Sequence, residues 1–425
     1  MKRHVALLTL ITLGLLTSHA GAQGLPAARP EQVGLSSERL ERVSRVLRAE
    51  IDAGKIPGAV ALVARRGQIV YFEAFGARDK AANAPMTKDA IFRLYSMTKP
   101  FTSVAAMMLM EDGKLVITDP VSKFIPQLGR REVSVPQFDP ATGKVGYVTV
   151  PAEREITVQD LLRHTSGIVY GQNTPNTRVS ELYEANKVGW ADQTPEEQIE
   201  RLSRVPLASQ PGTTWEYSLS TDVLGRVVEK VSGMRLGQFF AERIFAPLKM
   251  TDTAFVVPAD KRGRLAQPLT VEPSTGKPIT LVDVTVTPKN DAGGAGSAGT
   301  TIDYARFTQM MLNGGQLDGV RLLSPTTVAF MTSDHLGPAT RIVSRGGVGV
   351  GYGFGLGFAV RTSAGIAGVS GPVGEYRWGG AAGTGFWIDP PEQMVTVLMT
   401  QGAPGPARGA LSALFRQMVR QAIVE

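Results

Sequence analysis

Apolar positions repeat with two different periods along the chain, and each period predicts a different element. Residues 58–64 and 68–76 are strongly apolar and flank the polar residues 65–67, which predicts two strands joined by a tight turn. Before them, apolar positions recur every three to four residues from the cap Ser36-Ser37 to Ala53, which predicts a helix. A helix followed by a hairpin favours helices packed on an antiparallel sheet.

The C-terminal part of the chain returns to strand patterns. Helices are predicted at 302–312, 326–331 and 410–424, and strands at 353–361, 376–380, 384–389 and 394–400. Short connections between successive strands predict antiparallel pairing. Many of the 47 glycines fall between 293 and 385, where the backbone must turn or approach a ligand closely.

The middle of the chain has a different character, because helical patterns alternate there with long polar loops. Thr194 and Glu197 form a predicted capping box for a helix that runs to Val205, and residues 131–155 are an insertion punctuated by proline and glycine. We therefore predict an α+β fold, an antiparallel sheet flanked by helices with an inserted mostly helical domain. The predicted α/β domain comprises residues 23–115 and 292–425, and the inserted domain comprises residues 116–291.

The N-terminus has the features of a secretory signal. Basic residues at 2 and 3 precede an apolar run over 5–16, and Ala20-Gly21-Ala22 offers a small-residue cleavage site. The run is too short to span a bilayer comfortably. We predict that residues 1–22 are a signal peptide cleaved before Gln23, that no membrane anchor remains, and that the protein is periplasmic or secreted.

Composition narrows the classes of function. The chain has 425 residues with 43% hydrophobic content, enough for a large core, and it has no cysteine. The missing cysteines exclude disulfides, cysteine nucleophiles and thiolate metal sites. The formal charge is +7, or about +5 without the predicted signal, and the basic residues are dispersed. This pattern favours a solvated surface over nucleic-acid binding.

Candidate chemistry starts at Ser96-Met97-Thr98-Lys99, which precedes Pro100 and an almost wholly apolar run to residue 110. Proline is tolerated in the first turn of a helix, so these residues predict a buried helix with Ser96 at its N-terminus. A lysine three residues after a serine lies on the same helix face. Its ammonium and the helix dipole would both favour an alkoxide at Ser96, as a serine nucleophile requires.

The Ser-x-x-Lys pattern is weak by itself, since it recurs at Ser274–Lys277 within turn-forming residues that predict a surface loop. The nucleophile elbow Gly-x-Ser-x-Gly and the histidine-glutamate zinc motifs are absent from the sequence. After the predicted signal, only His164 and His335 could serve as a histidine base. We interpret His164, at a helix end, as a structural residue that holds its loop.

Tyr217 is the remaining candidate for the base. It lies after a proline-glycine corner at 211–212 and just before a predicted helix. A phenol with a pKa near 10 is a poor base at neutral pH, but an adjacent Lys99 would stabilise the phenolate. A tyrosine that only packs its ring and bonds a carbonyl would look the same, and spacing alone does not decide between the two.

Six short motifs then occur in a characteristic order. They are Ser96-Met97-Thr98-Lys99, Leu161-Leu162-x-His164-Thr165-Ser166-Gly167, Trp215-x-Tyr217-Ser218, Pro247-Leu248-x-Met250, Gly293-Gly294-Ala295-Gly296 and Trp378-Gly379-Gly380. The set resembles the serine β-lactamase-like superfamily, with the class C β-lactamase fold. It is most similar to the family VIII carboxylesterases. The resemblance covers residues 35–420.

This resemblance implies a role for each matching residue. Ser96 would be the acylated nucleophile, Lys99 its partner and Tyr217 the general base. The backbone N–H groups of Ser96 and Ala381 would form the oxyanion hole. The residues expected to bind substrate are Trp378, Gly379, Gly380, Tyr170 and Leu219.

Two departures from the lactamase motifs bear on the substrate. Leu219 stands where Tyr-x-Asn has asparagine, and Trp378-Gly379-Gly380 replaces Lys-Thr-Gly, which removes a cation suited to a substrate carboxylate. Both changes favour a neutral acyl substrate. We predict a carboxylesterase acting on short-chain, small-molecule esters, with no metal or organic cofactor. A β-lactamase, a D-alanyl-D-alanine carboxypeptidase or D-aminopeptidase, an acyltransferase, and an inactive module that binds cell-wall peptides remain alternatives.

Overall fold

The computed structural model describes residues 25–343, 348–403 and 406–425, so the predicted signal peptide lies outside the described residues. The helices are α1 (Ser37–Asp52), α2 (Lys99–Glu111), α3 (Val158–Leu162), α4 (Thr177–Ala185), α5 (Pro195–Ser203), α6 (Ser220–Ser232), α7 (Leu236–Phe240), α8 (Thr301–Leu312), α9 (Pro325–Met331) and α10 (Pro406–Arg420). Within the described ranges, none of the helices has both the length and the apolar character needed to cross a bilayer.

Most of the longer strands belong to one sheet. The strands are β1 (Gly58–Arg65), β2 (Gln68–Asp79), β3 (Ala84–Pro85), β4 (Ile91–Arg93), β5 (Glu132–Asp139), β6 (Lys144–Pro151), β7 (Thr214–Trp215), β8 (Ala298–Thr300), β9 (Gln316–Leu317), β10 (Val320–Arg321), β11 (Arg341–Ile342), β12 (Tyr352–Phe354), β13 (Ala359–Arg361), β14 (Tyr376–Gly379), β15 (Gly385–Asp389) and β16 (Met394–Met399). The eight-stranded sheet has the order β12-β13-β14-β15-β16-β1-β2-β3.

Antiparallel pairing of β1 with β16 joins the two ends of the chain in one sheet, with Val60 opposite Met399. The remaining neighbours in this sheet are antiparallel as well. Alternate β1 residues enter two different cores, which explains the continuous apolar run. Ala61 packs with α1 and α10, whereas Leu62 packs with α2 and α8. The predicted α+β fold, an antiparallel sheet flanked by helices, is confirmed.

Local signals in the sequence match the geometry at several places. Arg66 and Gly67 both have positive φ, 52° and 75°, as a two-residue hairpin turn that matches the twist of its strands requires. The Ser36 side chain accepts a hydrogen bond from the Arg39 N–H and caps α1. Thr194 and Glu197 form the predicted capping box on α5.

One prediction about the strands was wrong, and one hairpin was not predicted. Residues 353–361 are not one strand but the hairpin β12–β13, because the chain reverses at Gly357, whose φ is 103°. A Cβ there would lie 2.3 Å from the Ser103 hydroxyl, so the reversal also needs glycine for space. The insertion at 131–155 is a regular hairpin of β5 and β6, which cross-strand pairing stabilises despite its proline and glycine. Residues 116–291 otherwise consist mainly of helices and loops, and the predicted domain boundaries stay a prediction.

A buried carboxyl in the first turn of α8 links stability to pH. Asp303 accepts hydrogen bonds from the Asp252 N–H at 2.8 Å and the Thr253 hydroxyl at 2.9 Å. Burial raises the pKa of Asp303 from 3.8 to about 6, against those hydrogen bonds. The folded protein therefore holds this proton at pH values where the unfolded chain has lost it.

We expect Asp303→Asn to change how stability depends on pH. A raised pKa contributes stability that is complete below about pH 4 and is lost as the pH rises through about 6. Between these limits the free energy of unfolding of the wild type should fall relative to that of the variant, by at most roughly 3 kcal/mol. Urea unfolding of both proteins at several pH values measures this difference, and parallel curves would contradict it.

Candidate active site

The predicted nucleophile lies at a sharp change of backbone direction. Residues Tyr95–Thr98 form a 3-10 turn, and Lys99 begins the buried helix α2. Residues three apart eclipse one another in a 3-10 turn, so Ser96 and Lys99 lie on one side. The Lys99 Nζ lies 3.3 Å from the Ser96 Oγ. The sequence predicted this pairing correctly, although it placed Ser96 in the α-helix rather than in the turn before it.

The turn is held in place from several sides. Tyr95 has a φ of 46°, which is rare for a bulky residue, and its hydroxyl accepts a hydrogen bond of 2.9 Å from the Val282 N–H. The Tyr304 hydroxyl, from α8, donates to the Met97 carbonyl at 2.9 Å. The strained backbone beside Ser96 is thus stabilised by contacts from distant parts of the chain, as is common at functional sites.

Lys99 is almost completely buried, with 1% of its surface exposed. Besides Ser96, its ammonium donates to the Tyr170 hydroxyl at 3.2 Å and to the Gly294 carbonyl at 2.8 Å. Each of the three N–H groups of a protonated lysine therefore has an acceptor. These bonds hold the ammonium in one place beside the nucleophile.

Tyr217 also reaches this site. It follows β7 and precedes α6, and its ring lies beneath the ammonium, with Lys99 Nζ 4.6 Å from the ring centroid. The Tyr217 hydroxyl accepts a hydrogen bond of 3.3 Å from the indole Nε1 of Trp378. The three residues predicted to be catalytic, Ser96, Lys99 and Tyr217, are therefore brought together, while their roles stay a prediction.

Tyr170 is more closely tied to Lys99 than the sequence predicted. It was expected only as a substrate-binding residue, yet its hydroxyl bonds the ammonium directly. Removal of the phenol from water raises the pKa of Tyr170 well above 10, and the charges of Tyr217 and Asp222 raise it further. Tyr170 therefore stays protonated at neutral pH. Its only sequence signal is its position three residues after the Gly167 motif.

His164 takes a structural position behind Tyr217. It is 1% exposed, and its Nδ1 lies 2.9 Å from the Ser218 hydroxyl. Burial, and then the charge of Lys99, lower the pKa of His164 well below 6.5, so its ring is neutral. His335 instead contacts the Phe330 carbonyl and the Gln159 side chain. Neither histidine is hydrogen-bonded to Ser96.

The end of β14 approaches the Ser96 turn closely. A Cβ at Gly380 would lie 2.2 Å from the Leu94 carbonyl oxygen, and the Thr384 hydroxyl donates to the same oxygen at 3.2 Å. Among the described residues, the backbone N–H groups of Ser96 and Ala381 have no hydrogen-bond acceptor. Both donors are thus available for an oxyanion, the role that the resemblance implies.

We expect Gly380→Ala to lower kcat by about a hundredfold or more, because the new Cβ would push the Ala381 N–H away from the Ser96 turn. The matched control is Gly385→Ala on β15, where the nearest atom to the new Cβ is 3.7 Å away. Steady-state kinetics and thermal unfolding of both variants separate catalysis from stability. A Gly380→Ala protein with normal kcat would remove Ala381 from the proposed oxyanion hole.

The other predicted substrate-binding residues occupy different environments. Trp378 is 6% exposed and contacts the Tyr217 ring, with centroids 5.2 Å apart. Gly379 is half-buried on β14. Leu219 is only 1% exposed, belongs to the hydrophobic core and immediately precedes α6. Its predicted contact with substrate stays a prediction that its burial disfavours.

Sequence reasoning missed one charged residue near this site. Asp222, in the first turn of α6, is 1% exposed and accepts a hydrogen bond of 3.1 Å from the Gly294 N–H. Its only signal was an acidic residue near the start of the helix that follows Tyr217. Which charge faces it could not be read from the sequence.

The chain is similar to known proteins over most of its length. Protein Rv1367c of Mycobacterium tuberculosis (strain ATCC 25618 / H37Rv) is 37% identical over 87% of this chain and 91% of its own length. Lovastatin esterase of Penicillium rubens is 31% identical over 88% of this chain and 96% of its own length. The solved structure of EstCE1, described as a hydrolase with promiscuous acyltransferase activity, has a TM-score of 0.73 at 28% identity, over 91% of this chain and 99% of EstCE1.

The family itself is shown by a sequence profile that spans most of the chain. The profile named Beta-lactamase matches residues 43–417. Together with the esterase relatives, this match confirms a serine hydrolase of the β-lactamase/transpeptidase-like fold, related to the family VIII carboxylesterases. The chain belongs to the Beta-lactamase family.

Proposed function

We propose that the protein is a carboxylesterase that cleaves short-chain acyl esters through an acyl-enzyme on Ser96. The observation that carries this proposal is the hydrogen bond from the Trp378 indole to the Tyr217 hydroxyl. Trp378 stands where the lactamase motif has a lysine. The strand therefore places a neutral hydrogen-bond donor beside Tyr217. It does not place a cation there that could bind a substrate carboxylate.

In the first half-reaction, the Ser96 Oγ attacks the ester carbonyl carbon and its proton passes to the Tyr217 phenolate. Lys99 favours that phenolate, since its ammonium lies over the ring. The Ser96 and Ala381 N–H groups stabilise the negative oxygen of the tetrahedral intermediate. When the intermediate collapses, Tyr217 returns the proton to the departing alcohol, which leaves Ser96 acylated.

The second half-reaction repeats these steps with water. Tyr217 takes a proton from a water molecule, whose oxygen attacks the acyl carbon while the same two N–H groups hold the oxyanion. Collapse breaks the bond to the Ser96 Oγ, and Tyr217 returns the proton to that oxygen. One group thus acts as base and then as acid in each half, as general acid–base catalysis requires.

The surroundings of Lys99 favour a neutral, apolar acyl group. The rings of Tyr170, Tyr217 and Trp378 follow one another with centroids 5.4 and 5.2 Å apart, which places aromatic surface next to the ammonium. The next cation along β14, Arg377, lies on the other face of the strand, where it donates to the Val348 carbonyl and packs over the Tyr352 ring. Neither the aromatic rings nor Arg377 therefore provides a cation at the site that could bind a substrate carboxylate.

Acyl transfer to a second alcohol is the other candidate function. It needs the same acyl-enzyme, with an alcohol in place of water in the second half-reaction. The description of EstCE1 as a hydrolase with promiscuous acyltransferase activity favours this possibility for a chain of the same fold. β-Lactam or D-alanyl peptide cleavage stays an alternative that the missing cation disfavours.

We propose further that the protein acts outside the cytoplasm, on small-molecule esters. This part of the proposal rests on the basic and apolar pattern of residues 1–22 alone. N-terminal sequencing of the protein recovered from the periplasm or medium tests it. A first residue of Gln23 supports export, and an intact N-terminus in the cytoplasm contradicts it.

A substrate panel tests the proposed function. It comprises nitrophenyl esters of acetate, butyrate and octanoate, a chromogenic cephalosporin and a D-alanyl-D-alanine peptide, each measured with and without an added primary alcohol. We expect the highest kcat/KM on the short esters. Formation of a new ester when alcohol is added would support the acyltransferase, and comparable rates on the cephalosporin or the peptide would contradict the esterase.

A further inference from the structure

An uncompensated acidic oxygen lies in the core next to the catalytic residues. Asp222 is 1% exposed, and its Oδ1 accepts one hydrogen bond, from the Gly294 N–H at 3.1 Å. Its Oδ2 is buried and has no hydrogen-bond partner among the described residues. A buried carboxylate with an unused oxygen costs stability unless an opposite charge compensates it, so this arrangement calls for an explanation.

One backbone residue separates this carboxylate from Lys99. The Gly294 N–H donates to Asp222, and the Gly294 carbonyl accepts from the Lys99 ammonium at 2.8 Å. A Cβ at Gly294 would lie 2.4 Å from the Asp222 Oδ2, so only glycine allows this approach. The Thr102 hydroxyl donates to the Gly293 carbonyl at 2.7 Å and holds the same segment against α2.

The charges around Lys99 leave Asp222 as its compensating carboxylate, beside the proposed phenolate of Tyr217. The three acceptors of the ammonium are a serine hydroxyl, a tyrosine hydroxyl and a carbonyl, and all of them are uncharged. Arg226, one turn further along α6, is bonded to Glu229 at 2.6 Å. The other titratable groups that face this cluster are His164, Tyr170 and Tyr217, and of these His164 and Tyr170 are neutral for the reasons given above.

We propose that Asp222 is a positioning residue that holds the ammonium of Lys99 in place, through the Gly294 backbone, and keeps it charged. It touches neither substrate nor the reacting atoms. Burial raises the pKa of Asp222, and Lys99 acts in the opposite direction. In this role Asp222 is ionised. A charged Lys99 cannot take the proton of Ser96, which leaves that step to Tyr217.

Two variants separate the charge of Asp222 from its hydrogen bond. Asp222→Asn keeps the acceptor for Gly294 and removes the charge, whereas Asp222→Leu has the same branching and removes both. The kinetic readout, which rests on the proposed function, is kcat/KM for a short nitrophenyl ester against pH. We expect both variants to move the alkaline limb to lower pH by about one pH unit or more, because a buried ammonium without its counter-ion loses its proton more easily. The control is Asp303→Asn, which removes a buried carboxyl outside this cluster. It should leave the alkaline limb of the profile unchanged.

A stability measurement tests the same charge pair without any substrate. With Lys99 present, Asp222→Asn should lower the melting temperature. In the Lys99→Met background, where the carboxylate has lost the ammonium and only the Glu229-bonded Arg226 remains nearby, Asp222→Asn should raise it. A change of the same sign in both backgrounds, or an alkaline limb that does not move in folded variants, would overturn the proposal. A failed esterase assay with an intact stability cycle would instead reject the proposed function alone.

Discussion

Ser96→Ala should lower ester hydrolysis by at least about 10⁴-fold and abolish covalent labelling by a fluorophosphonate, since the proposed acyl-enzyme forms on Ser96. The side chain is small and half-buried, so the fold should be retained. Intact-protein mass spectrometry after labelling, together with initial rates on a nitrophenyl ester, measures both effects. Labelling of the variant at the wild-type rate would place the nucleophile elsewhere.

The chain supplies its own control for this experiment. Ser274 and Lys277 repeat the same spacing, but both are exposed in a turn where the Ser274 hydroxyl donates to Glu272 at 3.2 Å. Ser274→Ala should therefore leave labelling and hydrolysis unchanged. The contrast between the two serines shows why the spacing alone is weak. Reactivity depends on burial of the lysine and on the residues that surround it.

Tyr217→Phe should lower kcat by at least about a hundredfold with little change in melting temperature, because the ring and its packing remain while the proton acceptor is lost. Steady-state kinetics across pH measure the effect. Near-normal turnover would remove Tyr217 from the mechanism. The variant also deletes the acceptor of the Trp378 indole, so a small loss of stability is expected in addition.

Tyr170→Phe is the matched control for the base. Both phenols lie near Lys99, with ring centroids 5.6 Å (Tyr170) and 4.6 Å (Tyr217) from its Nζ. We expect Tyr170→Phe to change kcat by less than about tenfold, since its neutral hydroxyl supplies one acceptor to the ammonium and no proton to the reaction. A larger loss of kcat in Tyr170→Phe than in Tyr217→Phe would assign the base to Tyr170.

In the proposed mechanism, a serine hydrolase works without a histidine base. The Lys99 ammonium lies on the buried helix α2. The rings of Tyr170 and Tyr217 and the carboxylate of Asp222 surround it. The Lys99 ammonium and the Trp378 indole both contact the Tyr217 phenol. His164 instead supports the Tyr217 segment through Ser218.

Features that depend on neighbouring residues could be predicted from the sequence. The turn at Arg66-Gly67, the cap at Ser36 and the pairing of Ser96 with Lys99 each need only a few adjacent residues, whose conformational preferences are strong. The apolar run of β1 predicted a buried strand for the same reason. The hairpin at β5–β6 was missed because cross-strand pairing overrides the local effect of proline and glycine.

The rest of the site depends on contacts between distant parts of the chain. Lys99 meets Tyr170 across 71 positions and Gly294 across 195 positions, distances over which local patterns carry no information. The sequence by itself determined the pairing of Ser96 with Lys99 and the antiparallel sheet, because short-range sterics and hydrophobic periodicity specify them. Only the tertiary structure decided which phenol bonds the ammonium and which carboxylate faces it, because packing of α2 against α6 and the 293–294 segment sets those distances.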